Sequence, residues 1–163
     1  MPIAQFDAFV EAAARSHAAD NVASGRWLAQ ESEQLARSEL DRLLPRGLET
    51  PDHYLYEVTA EADGPVVGFL WFGSVPRGSS KVAFVFQIFV YPAYRRQGHG
   101  RAALLQVEAV ARSLGLSGVA LNVFGSNAGA QALYRSLGYA VTSLSMHKPL
   151  EANRVASGTE GIR

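Results

Sequence analysis

An almost unbroken apolar run in the middle of the chain constrains the fold more than any other feature. Residues 81–90 read KVAFVFQIFV, in which Gln87 is the only polar side chain between Val82 and Val90. A strand with apolar side chains on both sides is covered on both faces, so it lies inside a sheet rather than at its edge. The run therefore predicts the central strand of a sheet.

Helix and strand patterns on both sides of this run complete a mixed α/β domain. Apolar periodicity together with Gly, Pro and Asp-Gly signals sets the boundaries, including a break at 21–25. In chain order, the predicted elements are helices over 3–19 and 26–44, strands over 53–60, 65–73 and 81–90, a helix over 98–114, a strand over 118–123, a helix over 127–137 and a strand over 139–147. The first two strands form a hairpin. This order predicts an α/β (α+β) fold in one domain over residues 1–148, with a flexible tail over 149–163.

The composition excludes several classes of protein and site. The chain has 163 residues, no Cys and four His. Without Cys there is no disulfide scaffold, thiolate nucleophile or cysteine-bound metal, and the His spacing predicts no metal site. The apolar runs are shorter than the ~18 residues of a membrane span, and the N-terminus lacks a signal-peptide pattern. We therefore expect a cytoplasmic protein that does not bind membranes.

The net charge of zero conceals a strong asymmetry along the chain. Residues 1–63 carry 12 Asp and Glu against 5 Lys and Arg, whereas residues 64–163 carry 3 against 10. The basic second half favours an anionic ligand there, although an acidic solvated helix surface in the first half accounts for the split equally well. Because the basic residues are scattered, we expect no nucleic-acid partner.

The segment that follows the apolar run has the features of a phosphate-binding loop. Residues 91–101 leave a buried strand and open a helix. Gly98 and Gly100 allow the backbone to approach a ligand, and the first N–H groups of a helix lack partners and carry the positive end of its dipole. Three arginines flank these amides. The segment therefore predicts a loop that binds a phosphate group.

Two other nucleotide-binding patterns fit this loop less well. Residues 98–103, GHGRAA, match the dinucleotide fingerprint G-x-G-x-x-A. However, the predicted strand ends eight residues before the first glycine, and Asn122 stands where an acidic residue is expected. A P-loop is excluded because no Gly-Lys-Ser or Gly-Lys-Thr follows.

Two motifs in register resemble those of the GCN5-related N-acetyltransferase (GNAT) family. Residues 90–100, VYPAYRRQGHG, resemble its motif V-x-P-x-[YF]-[RQ]-x-x-G-x-[GA], and residues 127–139, NAGAQALYRSLGY, resemble N-x-x-A-x-x-L-Y-x-x-x-G-[FY]. Both have the family's order and spacing, and the helix pair followed by a hairpin is also similar. The resemblance implies a mixed central sheet with flanking helices. The family's first strand, expected before the first helix, is not evident.

The resemblance implies acetyl-CoA as the co-substrate and no metal. The residues that it assigns to acetyl-CoA are Ile88, Phe89, Val90, Arg95, Arg96, Gln97, Gly98, His99, Gly100, Arg101, Asn127, Ala130 and Tyr134. The loop amides would bind the pyrophosphate, and the backbone of residues 88–90 would bind the pantetheine arm where the sheet opens, often at a β-bulge. Tyr134 would be the catalytic residue, beside the sulfur.

The resemblance further implies transfer of an acetyl group to a primary amine, by direct attack within a ternary complex. A general base is not identified: His53, Glu31, Glu57 and a water chain all remain open. The missing base leaves a catalytically silent acyl-CoA-binding sensor as an alternative, and a nucleotide-dependent oxidoreductase as a third. The acceptor is an amine on a small molecule or a protein. An apolar last strand and an exposed sheet edge favour a homodimer.

Overall fold

The computed structural model describes residues 1–148, so the tail predicted over 149–163 lies outside the described residues. Four helices and four strands follow each other along this part of the chain. Their bounds are α1 Phe6–Ala23, α2 Ser32–Leu43, β1 His53–Thr59, β2 Val66–Arg77, β3 Ser80–Val90, α3 His99–Ser113, β4 Val119–Leu121 and α4 Ala128–Ser136. Three short 3-10 turns lie at Ile3–Gln5, Gly47–Glu49 and Pro92–Tyr94.

The four strands form one mixed sheet in the order β1-β2-β3-β4. The first two pairs are antiparallel, and β4 is parallel to β3. A parallel pair needs a crossover connection, which α3 supplies here. The predicted mixed sheet with flanking helices is confirmed. Within residues 1–148 no strand precedes α1, as the sequence indicated.

Each face of the sheet carries its own apolar core. On one face α1 and α2 pack against the first two strands, and Phe9 of α1 is fully buried there. On the other face α3 and α4 pack against the sheet, and Leu104 of α3 is fully buried. The sheet therefore separates two helical layers, and any opening between its strands connects them.

The sheet opens halfway along β3. Successive residues of β2 pair with Gln87 and Val85, so Phe86 is the extra residue of a β-bulge. Only residues 83–85 of β3 pair with β4. Residues 86–90 are consequently only half-buried, so the prediction of a strand covered along its whole length is wrong for this half.

The first two helices differ from their predicted bounds. The break predicted over 21–25 starts later than predicted, because the Asn21 side-chain amide donates to the His17 carbonyl at 2.9 Å and α1 continues to Ala23. The helix ends within the predicted range, before Gly25, whose φ of +72° suits glycine. The second helix starts only at Ser32, so the apolar residues predicted for its first turn, Trp27 and Leu28, belong to the preceding loop.

The strand predicted over 139–147 is wrong. Tyr139 still belongs to the end of α4, since its N–H donates to the Tyr134 carbonyl, and residues 140–148 have no regular secondary structure. Val141, Leu144 and Met146 are 63%, 79% and 92% exposed. A strand requires hydrogen-bonding partners, and this segment pairs with none of the described strands. The argument for a homodimer from an apolar last strand loses its basis, although the dimer itself stays a prediction.

Candidate functional site

The loop between β3 and α3 presents a row of unpaired amides. The first intrahelical hydrogen bond of α3 joins the Ala102 N–H to the Gly98 carbonyl at 3.0 Å. The N–H groups of His99, Gly100 and Arg101 precede it and have no intrahelical acceptor. Gly98 has φ +91°, and no described atom lies within 4 Å of the place where a Cβ would stand. The loop is therefore shaped to admit an anionic group against bare backbone.

Arg96, next to these amides, is also left-handed, with φ +64°. Such a conformation costs an L-residue with a side chain about 1–2 kcal/mol. The strained residue lies inside the loop that the sequence assigned to phosphate binding, where strain of this kind is commonly found.

The polar side chains of this loop lie in different directions. Arg95 folds back over Phe89, with its guanidinium carbon 5.7 Å from the ring centroid, and its Nε donates to the Val90 carbonyl at 2.9 Å. Gln97 donates to the Ala93 carbonyl, and Arg101 donates to the Ser136 hydroxyl on α4. The remaining two, Arg96 and His99, make no side-chain hydrogen bond within residues 1–148.

The open edge of β3 exposes backbone groups next to this loop. The Tyr91 N–H donates to the Val67 carbonyl at 2.9 Å, which makes these two residues a hydrogen-bonded pair. In an antiparallel ladder such pairs alternate, so the backbone groups of Phe89 also face β2. Those of Ile88 and Val90 face the other way, past the end of the pairing with β4. A peptide-like ligand can pair with this edge.

Asn127, Ala130 and Tyr134 come from α4, on the far side of the opening. The Asn127 side-chain oxygen caps α4 by accepting from the Ala130 N–H at 3.1 Å. Its side-chain NH₂ makes no hydrogen bond within the described residues. The structure thus shows a capping role for Asn127 and leaves a donor available.

Tyr134 lies seven residues after Asn127 and is only 9% exposed. Burial raises the pKa of its phenol, and the negative charge of Asp20 raises this pKa further. The phenol is therefore protonated at neutral pH. Its hydroxyl makes no hydrogen bond to any residue of the described chain, so it is available as a donor.

His53 does not have a free lone pair. The Trp71 indole N–H, which can only donate, forms a hydrogen bond to His53 Nδ1 at 2.9 Å. In the neutral ring the proton must then reside on Nε2. Burial lowers the pKa of His53, and its ring stacks against Phe86 at 5.3 Å. These contacts indicate that His53 holds the aromatic packing together rather than taking a proton from a substrate.

The two glutamates that the sequence left open as bases lie at other places. Glu31 is exposed immediately before α2. Glu57 lies on β1 opposite Phe69, so β2 stands between it and β3. A whole strand therefore separates Glu57 from the opened edge of β3.

A cleft of about 470 Å³ separates α1 from the end of β3. Its lining comes from one side of α1 and from the end of β3 with its loop: Ala12, Arg15, Ser16, Ala19, Asp20, Phe89, Tyr91 and Arg95. Sequence reasoning missed Asp20. The available signal was its spacing, because Ser16 and Asp20 lie one helical turn apart and share a side of α1 with small residues.

Within residues 1–148, no three side chains of the His, Asp or Glu type come together as metal ligands do. The helices of this part of the chain are also too short or too polar to cross a bilayer.

Known proteins share this arrangement. Residues 17–139 match the Acetyltransferase (GNAT) family. The chain is 32% identical over 150 residues to the uncharacterized N-acetyltransferase YycN of Bacillus subtilis, covering 92% of this chain and 96% of that one. It is also 32% identical to YdgE of Bacillus subtilis, another uncharacterized N-acetyltransferase, covering 90% and 92%.

Solved structures share the fold. The crystal structure of YycN superposes with a TM-score of 0.86 over 92% of this chain and 95% of that one. A more distant match, 20% identical, is the structure of AAC(6')-Iy in complex with the bisubstrate analogue CoA-S-monomethyl-acetylneamine, with a TM-score of 0.54 over 73% and 80% of the two chains. The motifs, the opened sheet and these relatives together show that the chain belongs to the GNAT family and is an N-acetyltransferase.

Proposed function

We propose that the enzyme transfers the acetyl group of acetyl-CoA directly to a primary amine within a ternary complex. The observation that carries this proposal is the opening of the sheet beside β3. Three features support it: the bare amides of the loop before α3, the free backbone edge at Ile88 and Val90, and the protonated hydroxyl of Tyr134. Acetyl-CoA has a matching diphosphate, a peptide-like arm and a thioester sulfur.

Different backbone groups of the chain would bind different parts of acetyl-CoA. The amides of His99, Gly100 and Arg101 would hold the pyrophosphate, with Arg96 exposed nearby. The Val90 edge would pair with the pantetheine arm, which requires Arg95 to leave the Val90 carbonyl. The Ile88 N–H, nearer the bulge, would donate to the thioester oxygen and stabilise the developing oxyanion.

Tyr134 acts in this proposal as a hydrogen-bond donor to the departing sulfur. A thiol of the cysteine type has a pKa near 8.5 and a tyrosine near 10, so full proton transfer is uphill by roughly 2 kcal/mol. Because burial raises the pKa of Tyr134, transfer is still less favourable here. A hydrogen bond lowers the energy of the thiolate without requiring that transfer.

The acceptor amine must reach the thioester in its neutral form. An alkyl ammonium group has a pKa near 10.4, so presenting it neutral at pH 7 costs about 4–5 kcal/mol. A cleft of about 470 Å³ beside Phe89 suits a small molecule. The bisubstrate analogue bound to AAC(6')-Iy joins coenzyme A to an acetylneamine, which supports a small-molecule amine as the acceptor here.

Two measurements on the purified enzyme test this function. Calorimetry at low salt should detect heat on titration with acetyl-CoA. A screen of amines should release free thiol, with mass spectrometry of the product showing an added acetyl group. Heat without thiol release from any amine would contradict amine transfer, and no heat at all would contradict the acetyl-CoA site.

A further inference from the structure

We propose that Asp20 is the carboxylate that binds the acceptor's ammonium group in the cleft between α1 and β3, and that it takes the amine proton during acetyl transfer. This inference rests on the proposed function and adds to it the acceptor site, the base and a substrate class: small cationic amines. It starts from the path of α1 across the sheet.

Helix α1 crosses from the second strand to the opening. Near its start, the centroid of the Phe9 ring lies 5.9 Å from that of Phe69 on β2. One side of its later turns lines the cleft against Phe89 of β3. Beyond its end, the guanidinium of Arg26 lies 5.8 Å from the ring of Phe124, which follows β4. The last turn of α1, which contains Asp20, therefore lies over the place where β3 and β4 part.

Asp20 and Tyr134 approach this opening from opposite faces of the sheet. Tyr134 belongs to the core under α3 and α4, whereas Asp20 lines the cleft under α1. The negative charge of Asp20 contributes to the raised pKa of the Tyr134 phenol, after burial. A thioester bound between them would have a proton donor on the sulfur side and a carboxylate on the side from which the amine enters.

Nothing in the local structure requires a carboxylate at position 20. The side chain makes no hydrogen bond or ion pair within residues 1–148, although Arg15 and Arg95 line the same cleft. A negative charge in the last turn of a helix is also unfavourable with respect to the helix dipole, and α1 has no basic residue in that turn. Asp20, which is exposed, therefore adds nothing to the stability of α1 through the helix dipole or through a partner within residues 1–148.

The chemistry of the step balances with Asp20 as the base. The ammonium group loses one proton to solvent as the amine docks beside the carboxylate. Its nitrogen then bonds to the thioester carbon, the carbon–sulfur bond breaks, and the electron pair leaves with the sulfur as thiolate, which Tyr134 hydrogen-bonds. The second nitrogen proton passes to Asp20 and then to solvent, leaving a neutral amide and the thiolate of coenzyme A.

The test compares Asp20→Asn, which keeps the size and removes the charge, with Asp41→Asn on the exposed side of α2 as the matched control. We expect Asp20→Asn to lower kcat/KM for a cationic alkylamine about 100-fold at pH 7. The dissociation constant of acetyl-CoA and the midpoint of thermal unfolding should stay near those of the wild type. The kcat/KM of Asp20→Glu should be at least tenfold higher than that of Asp20→Asn. Asp41→Asn should change kcat/KM less than twofold.

A second readout does not depend on activity. Spectrophotometric titration of the phenols, with Tyr134→Phe versions subtracted, reports the pKa of Tyr134. Removing the charge of Asp20 should lower this pKa, because that charge disfavours the phenolate. The other titratable groups around Asp20 are Arg15, His17, Tyr91, Arg95 and Tyr134 itself, and all are kept in the variant.

The outcomes separate the two proposals. If the wild type releases no thiol with any amine, the proposed function fails. If the wild type is active and Asp20→Asn keeps its kcat/KM within twofold, only the role of Asp20 fails. A weakening of acetyl-CoA binding by tenfold or more in Asp20→Asn would also overturn it, because the cleft would then belong to the acyl donor.

Discussion

Tyr134 and Tyr139 offer a direct comparison at the scale of single residues. Their ring centroids lie 5.7 Å apart, and both phenols have a pKa raised by burial, that of Tyr139 to about 12. The Tyr139 hydroxyl is buried with no hydrogen-bond partner in the described chain. By contrast, the charge of Asp20 contributes to the raised pKa of Tyr134. Of these two phenols, we propose only that of Tyr134 as the donor to a ligand in the opening.

Replacing the two hydroxyls in turn tests this assignment. Tyr134→Phe should lower kcat roughly 10–100-fold and leave the dissociation constant of acetyl-CoA nearly unchanged, because the lost hydrogen bond forms with the departing sulfur. Tyr139→Phe is the matched control and should keep kcat within twofold, since its hydroxyl has no partner to lose. Steady-state kinetics at neutral and high pH provide the measurement. Unchanged turnover of Tyr134→Phe at both pH values would refute its role.

At the scale of elements, the parts of the site that lie close together in sequence were predictable. The loop before α3 and the capped start of α4 depend on local signals, Gly98 and Asn127, and the structure has both: glycine in a left-handed conformation and an asparagine N-cap. Strand and helix bounds that depend on partners were less predictable. The segment over 139–147 has the apolar residues of a strand but pairs with no strand among the described residues.

The spacing of Ser16 and Asp20 puts both residues on one side of α1, but it does not show what that side faces. The role proposed for Asp20 depends on the path of α1 to the opening, and the packing of Phe9 against Phe69 of β2, far from Asp20 in the helix, helps to fix that path. His53 shows the converse. Its residue type suggested a base. However, Trp71, 18 positions away in sequence, donates a hydrogen bond to His53 Nδ1 and so occupies the lone pair that a base would need.

The pairing of β2 with β3 makes a testable contribution to the site. A Cβ on Gly68 would collide with the Phe89 carbonyl, so the close approach of these two strands requires glycine. Gly68→Ala should displace the edge at residues 88–90, weaken acetyl-CoA binding about tenfold and cost about 1–3 kcal/mol of stability. Calorimetric titration and chemical denaturation measure the two effects.

Gly118→Ala is the control for this substitution, because a Cβ there meets no described atom within 4 Å. It should leave both quantities near the wild-type values. Equal losses in the two variants would mean that the tight contact at Gly68 has no particular bearing on the binding edge.

At the scale of the whole molecule, the opened sheet makes binding and stability depend on each other. The groups proposed to hold acetyl-CoA come from β3 and the start of α3 on one side of the opening and from α4 on the other. Because β4 pairs with only three residues of β3, little backbone pairing joins the two sides. A ligand that spans the opening supplies the missing contacts.

Acetyl-CoA should therefore raise the midpoint of thermal unfolding. A ligand at 100 times its dissociation constant adds about 2.7 kcal/mol to the free energy of unfolding. For a chain of this size that corresponds to a rise of roughly 5–10 °C. The second half of the chain carries 10 Lys and Arg against 3 Asp and Glu, so the dissociation constant of acetyl-CoA should increase with added salt. The acetyl-CoA concentration needed for the same rise in the unfolding midpoint should then increase as well. NAD(H) at the same concentration should give no rise, since the chain lacks the acidic residue that binds the ribose of NAD at such a loop. A rise with NAD(H) and none with acetyl-CoA would mean that the loop binds a dinucleotide and not acetyl-CoA.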